Sequence, residues 1–251
     1  MPYDIEDRIV KVGGRSPRIS EEDIEILIPH IAHKQLNINV VEVKALINLV
    51  KKLFTNLLTN SNYETKKITA LTTKFRDAGR RSAPWQPTSS VVPGRPQDGS
   101  DGNRINRWLL EPDHKFYADE ITATLVEIKY FLQALSMQNA PIIPEEYREL
   151  FTPWLLEHNI NPNEYLDPIQ LIEIDFEEFI DNPRIIQSGH IHPLDRGGRH
   201  QPSNTFLMLS RSNQLQGNLT VEELLNILRN IIDKHDQALE ENSRLEHLIR
   251  Q

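Results

Sequence analysis

The chain has 251 residues, enough for one large or two small domains around a real hydrophobic core. Hydrophobic residues make up 38% and charged residues 25%, a soluble globular composition, and the absence of cysteine excludes a disulfide framework and cysteine-based zinc ribbons. No apolar run approaches the roughly 18 residues of a membrane helix, and the opening Met-Pro-Tyr-Asp-Ile-Glu-Asp lacks the basic and apolar regions of a signal peptide, so a cytoplasmic protein without a membrane partner is expected.

A net charge of −8 argues at first against a polyanionic partner. Distribution matters more than the sum. Between Lys66 and Arg107 there are nine basic residues against three acidic ones, so the remainder of the chain is more acidic than the whole. A basic segment can meet phosphates locally while acidic helices elsewhere maintain solubility.

In chain order, residues 1–79 read as a helical region. Ser20 with Asp23 forms a capping-box pattern that starts a helix to about residue 33. Val43, Leu46, Ile47, Val50, Leu53, Phe54, Leu57 and Leu58 recur at helical spacing, and a third helix is predicted from Glu64 to Arg76. Residues 80–105 form a basic Pro/Gly-rich loop or linker, in which Pro84, Pro87, Pro93 and Pro96 predict no regular structure. Its Arg80, Arg81, Arg95 and Arg104, with Arg107 beyond it, are candidate nucleic-acid contacts.

Residues 106–182 form a mostly helical middle region. Ile121, Leu125, Ile128, Leu132 and Leu135 mark an amphipathic helix, Pro144 opens a shorter one, and Ile169 to Ile174 reads as a strand or buried helix edge. Trp108 and Trp154 are expected in this middle core. Asp175, Glu177, Glu178 and Asp181 read as a surface acidic run that could also lend a metal carboxylate to the C-terminal segment.

Residues 183–251 carry the densest chemistry. Short strand-like runs, Ile185-Ile186 and Thr205-Phe-Leu-Met-Leu209, flank a Gly197-Gly198 turn, giving a hairpin with a wide polar loop. Around it stand Gly189-His190-Ile191-His192-Pro193, then Asn204, then Asn213 with Gly217 four residues on. Arg196, Arg199 and Arg211 add fork-shaped donors that match phosphate oxygens. His190, His192 and His200 also make a His-rich tract, but structural zinc prefers four ligands and usually thiolates, which this chain lacks.

This segment, residues 187–220, resembles the HNH, or ββα-metal, nuclease motif: His190, Asn204 and Asn213 fall at its three signature positions. The resemblance implies that His190 is a general base activating the attacking water and that Asn204 holds the loop so that the ring points inward. It makes Asn213 an oxygen ligand of one divalent ion, Mg²⁺, which stabilises charge on the transition state. One departure matters. Many family members carry Asp immediately before the catalytic His, whereas this chain has Gly189. Asp195, His192 or a carboxylate elsewhere could then complete the metal site, or catalysis is lost and binding kept.

After the motif, Thr220 with Glu223 caps a long helix. Its Leu224, Leu228, Ile231, His235, Ala238, Asn242, Leu245 and Ile249 alternate by four and three, a seam interrupted by His235 and Asn242 along which the helix either packs on its own domain or pairs with a copy of itself in a homodimer. The expected architecture is mainly α with a small α+β unit: a helical N-terminal region, a C-terminal ββα-metal motif and a long C-terminal helix. The expected function is Mg²⁺-dependent cleavage of double-stranded DNA, as a sequence-specific type II restriction enzyme with a cognate DNA methyltransferase in the same system. The alternatives are a catalytically inactive nucleic-acid-binding protein and a nicking or homing-type nuclease.

Overall fold

The computed structural model describes residues 3–85, 104–155 and 161–241; the side chains of Leu36, residues 83–85, 153–155 and 239–241 are outside the described set. The fold is mainly α with a small α+β unit. Four helices open the chain: α1 (Ile5–Val12), α2 (Glu21–Ala32), α3 (Val40–Asn60) and α4 (Thr65–Gly79). The predicted capping box at Ser20 and Asp23 forms as expected, and a second one, Asn39 with Glu42, starts α3. Helix α1 is not legible in the sequence, because eight residues capped by Asp4 bury only Ile9 and Val12 and give too short a period to read. It is tied to α2 by the Arg8 guanidinium, which donates two hydrogen bonds to the buried Asp23 carboxylate.

The centre is α5 (Glu120–Leu135), packed between α3 and α4. It is buried on every face rather than along a stripe, as a helix surrounded by others must be. Its buried polar residues each serve a neighbour. Glu127 pairs with Arg80; Gln133 Oε1 accepts the Leu207 backbone N–H at 3.0 Å; Lys129 Nζ donates to the Pro202 carbonyl and lies 3.7 Å over the Phe206 ring. Thus the central helix itself docks the C-terminal hairpin. Phe54, Phe75, Phe131 and Phe179 interlock beside it at centroid distances of 5.0 to 6.1 Å.

The Pro-rich segment departs from expectation at its ends. Arg81–Trp85 (β1) and Arg104–Asn106 (β2) pair antiparallel, and the register breaks between Ser82 and Trp85. Pro84 lies inside that irregular stretch, where a residue without an N–H costs the ladder nothing. Arg95 and residues 86–103 lie outside the described residues.

Helices α6 (Glu145–Leu155) and α7 (Phe176–Asp181) complete the helical body. The stretch from Ile169 to Ile174 is neither strand nor helix: Leu171 and Ile172 are exposed, and only Glu173 makes an isolated bridge, to Leu166. The acidic run is at the surface as expected: Glu177, Glu178 and Asp181 are exposed on the short α7, capped by Asp175, with Phe176, Phe179 and Ile180 turned into the core. Trp108 is half-buried rather than part of the core, and the side chain of Trp154 lies outside the described residues.

The ββα unit is formed by β3 (Ile186–His190), β4 (Thr205–Leu209) and α8 (Ser210–Gln216). Strands β3 and β4 pair antiparallel in unbroken register, with His190 opposite Thr205. The free edge of β4 is satisfied from the helical body: Gln133 accepts from Leu207 N–H, Tyr165 Oη donates to Leu207 O at 2.6 Å, and Asp167 Oδ2 accepts from Leu209 N–H at 2.8 Å. Helix α9 (Val221–Glu241) then runs outward behind a Thr220–Glu223 capping box. Leu224 is buried, whereas Leu225, Ile227, Leu228, Ile231 and Ile232 are exposed; Asn242, Leu245 and Ile249 lie outside the described residues. Among the described residues no helix is long and apolar enough to cross a membrane.

Candidate active site

A cleft of about 870 Å³ separates the ββα unit from the end of α4 and the β1–β2 ribbon. One wall carries Gln187, Ser188, Gly189, His190, Asp195 and Asn213, and the other carries Lys74, Asp77, Arg81, Arg104 and Arg107. The wide loop between β3 and β4 is what sets the first wall. Gly197 takes φ +88°, and a Cβ on Gly198 would stand 2.1 Å from the His192 carbonyl oxygen, so the Gly-Gly pair supplies a left-handed turn and a close approach in succession. Asn204, buried, laces the loop from inside: its Oδ1 accepts the His192 N–H at 2.7 Å and its Nδ2 donates to the carbonyls of His192 and Arg199 at 2.9 Å each. Gln216, a residue that no sequence signal marks, does the same from α8, donating to the carbonyls of His190, Ile191 and Leu219. Its His190 and Ile191 partners lie across the hairpin and leave no local pattern.

His190 ends β3 with its ring mostly buried. Burial, reinforced by the nearby Arg107 charge, pushes its pKa down to about 4, so the imidazole is neutral at neutral pH. Its Nε2 lies 3.1 Å from His200 Nδ1, while Nδ1 has no hydrogen-bond partner among the described residues. Asn213 donates its Nδ2 to Gln187 Oε1 at 2.7 Å, and Gln187 in turn donates to Ser210 Oγ at 3.0 Å. That chain fixes the amide and leaves Asn213 Oδ1 without a donor among the described residues.

The other expected residues are dispersed. Asp195 lines the cleft and pairs with Lys115. His192 does not join it: the ring is outside the cleft lining, and its Nε2 lies 2.8 Å from the Arg196 carbonyl. Asp175, Glu177, Glu178 and Asp181 are likewise absent from the lining. Among the described residues no three His, Asp or Glu side chains converge as a metal-binding group. Of the arginines, Arg81 and Arg104 line the cleft, Arg81 sharing Asp77 with Arg76. Arg107 is buried, and its fork is spent on the carbonyls of Ala78, Gly79 and Phe116, capping the C-terminus of α4 with a cation. Arg80 is paired with the buried Glu127 and Arg196 bidentately with Glu223, whereas Arg199 and Arg211 are exposed.

Lys74 carries no signal in the sequence beyond its charge. It is half-buried on α4, has no carboxylate partner among the described residues, and its pKa is lowered by burial and then by Arg104. Such an uncompensated cation in a cleft is stabilised by an incoming anion.

Gly189, where the resemblance leads one to expect a carboxylate, packs against the end of the Met208 side chain. A Cβ built on Gly189 would lie 2.5 Å from both Cε and Sδ of Met208 and 3.0 Å from Asn213 Oδ1. Both Met208 atoms are the far end of a flexible side chain, which can move aside at little cost. Gly189→Asp is therefore expected to change stability by less than about 1 kcal/mol, the Met208 side chain shifting to make room. Chemical denaturation of the variant and wild type checks this; a loss of about 1–3 kcal/mol, the usual cost of overpacking, would show that Met208 cannot yield.

No protein-family model matches the chain, and no curated protein matches it. Among solved structures, a crystal structure of a type II restriction endonuclease is similar over 53% of this chain and 62% of that one, with 14% identity and a TM-score of 0.42. The match spans less than two thirds of that protein.

Proposed function

We propose that this chain is a metal-dependent endonuclease of the HNH type that hydrolyses phosphodiester bonds in double-stranded DNA. The observation that carries the reading is the two-sided cleft: a neutral, buried His190 and a free amide oxygen on Asn213 on one wall, and Lys74, Arg81 and Arg104 on the other. A scissile phosphate between the walls meets a base on one side and cations on the other. His190, through its unprotonated nitrogen, takes a proton from water as the water oxygen bonds to phosphorus; the P–O bond to the leaving group breaks, and solvent protonates the departing oxygen. Lys74 and Arg104 hold the non-bridging oxygens against the cleft wall.

Mg²⁺ would be held by Asn213 Oδ1 and by the Asp195 carboxylate, which lines the same cleft and would exchange its Lys115 partner for the ion, with phosphate and water oxygens completing the shell. When bound, it supplies Lewis-acid stabilisation of the developing charge. Restriction-type cleavage of a specific sequence, with a partner methyltransferase, is the role we favour, and the apolar face of α9 is the surface through which two copies would address two strands. The absence of a carboxylate at Gly189 favours one second reading, a DNA-binding protein without cleavage.

Replacing Lys74 or Arg104 with alanine is expected to lower the slope of log affinity against log salt by about one per lost phosphate contact. Double-stranded DNA titrated at several salt concentrations reads this directly. Slopes equal to wild type in both variants would remove the cationic wall from the DNA interface.

A further inference from the structure

Two histidine rings and a helix terminus make a chain of hydrogen bonds behind the cleft. His200 is 2% exposed; its Nε2 lies 2.7 Å from the Gly79 carbonyl oxygen, and its Nδ1 lies 3.1 Å from His190 Nε2, the rings meeting at 60°. The proton positions follow from what each partner can do. A carbonyl only accepts, so His200 Nε2 must carry the hydrogen. Burial next to Arg107 keeps His200 well below its ordinary pKa, hence neutral, and a neutral imidazole protonated at Nε2 has only a lone pair at Nδ1. His190 must then donate from its own Nε2, which leaves His190 Nδ1 as the single basic nitrogen.

We propose that His200 is a positioning residue that, held by the Gly79 carbonyl, fixes His190 in the Nε2–H tautomer and so presents Nδ1 to the reacting water. The inference rests on the reading of His190 as the base. It explains features that the signature positions leave unused. Gly79 is the last residue of α4, and a Cβ there would stand 2.7–2.8 Å from the backbone and Cβ of Glu127, so glycine lets the end of α4 lie directly on α5. Arg107 Nε donates to the same Gly79 oxygen at 3.0 Å, which anchors the acceptor. The base is thereby oriented from the helical body, through a His200–Gly79 contact that spans 121 residues of sequence, and not from its own hairpin alone. A wrong tautomer would turn an N–H toward the water and abolish proton acceptance even with the ring in place.

The test uses the whole chain and reads the tautomer separately from the chemistry. Long-range proton–nitrogen NMR correlations of the imidazoles, assigned with His190→Gln, show which nitrogen of His190 bears hydrogen. Wild type should show Nε2–H. His200→Leu removes the acceptor; His200→Asn restores one, because its Oδ1 takes the place of Nδ1. His200→Leu should lose the single tautomer and lower kcat for plasmid cleavage by about 10- to 100-fold, the usual cost of losing such a supporting group, with DNA affinity unchanged. His200→Asn should recover the tautomer and most of kcat. Hydrogen on Nδ1 in wild type, or a His200→Leu variant that cleaves like wild type, would overturn the assignment. Wild-type protein that shows the Nε2–H tautomer but cuts no DNA would instead refute the nuclease reading and leave the hydrogen-bond chain established.

Discussion

Replacing His190 with alanine is expected to lower DNA cleavage by a factor on the order of 10² to 10⁴, the usual contribution of a positioned general base, while DNA affinity stays within a few-fold of wild type. The separation of the two effects follows from the cleft. His190 is neutral and would bring no charge to a bound phosphate, whereas Lys74, Arg81 and Arg104 on the opposite wall would. Its backbone carbonyl, not its ring, is what Gln216 grips, so the strand end and the loop remain held when the ring is removed. Steady-state cleavage and equilibrium binding measured on the same preparation distinguish the two. Cleavage unchanged by the substitution would mean that another group takes the proton.

The largest effect on stability is expected at Phe75. Its ring is fully buried and packs edge-on to Phe54 and Phe131, at 6.0 and 5.0 Å, and against Phe179 at 6.1 Å, so it joins α3, α4, α5 and α7. Truncation to alanine removes all these contacts at once, and three rigid neighbours cannot collapse into the space together. A loss of about 3–5 kcal/mol is expected, read as a lower denaturant midpoint at unchanged slope. A loss below about 1 kcal/mol would show that the aromatic cluster repacks. Because Phe75 also lines the cleft on the Lys74 wall, cleavage should fall with stability even at temperatures where the variant is folded.

Legibility differs from element to element. Helices α2, α3 and α4 can be read because each shows an apolar period over at least three turns, and Ser20 marks a start with its own side chain. Helix α5 can be placed but not its surroundings: a periodic subset of apolar residues is visible, whereas burial of Glu127, Lys129 and Gln133 depends on partners at Arg80, Pro202 and Leu207. The β1–β2 ribbon is hidden because four prolines outweigh two short strands in any local reading, and only pairing across residues 86–103 creates the strands. At the site, His190, Asn204 and Asn213 can be named because they sit on one short hairpin and helix with fixed spacing. Lys74, Gln216 and the service of His200 to Gly79 cannot, since each is defined by a contact between segments that sequence order keeps apart. Arg107 shows the converse: its charge suggests phosphate, but the carbonyls that end α4 take it.

The most direct measurement of the central claim is digestion of supercoiled plasmid DNA by wild-type protein in Mg²⁺, compared with the same protein in a chelator and with His190→Ala in Mg²⁺. The proposed chemistry predicts nicked or linear product with wild type in Mg²⁺ and almost none in the other two lanes. Wild-type protein that binds the plasmid yet leaves it supercoiled in both Mg²⁺ and Mn²⁺, or that cuts equally well without His190, would contradict it.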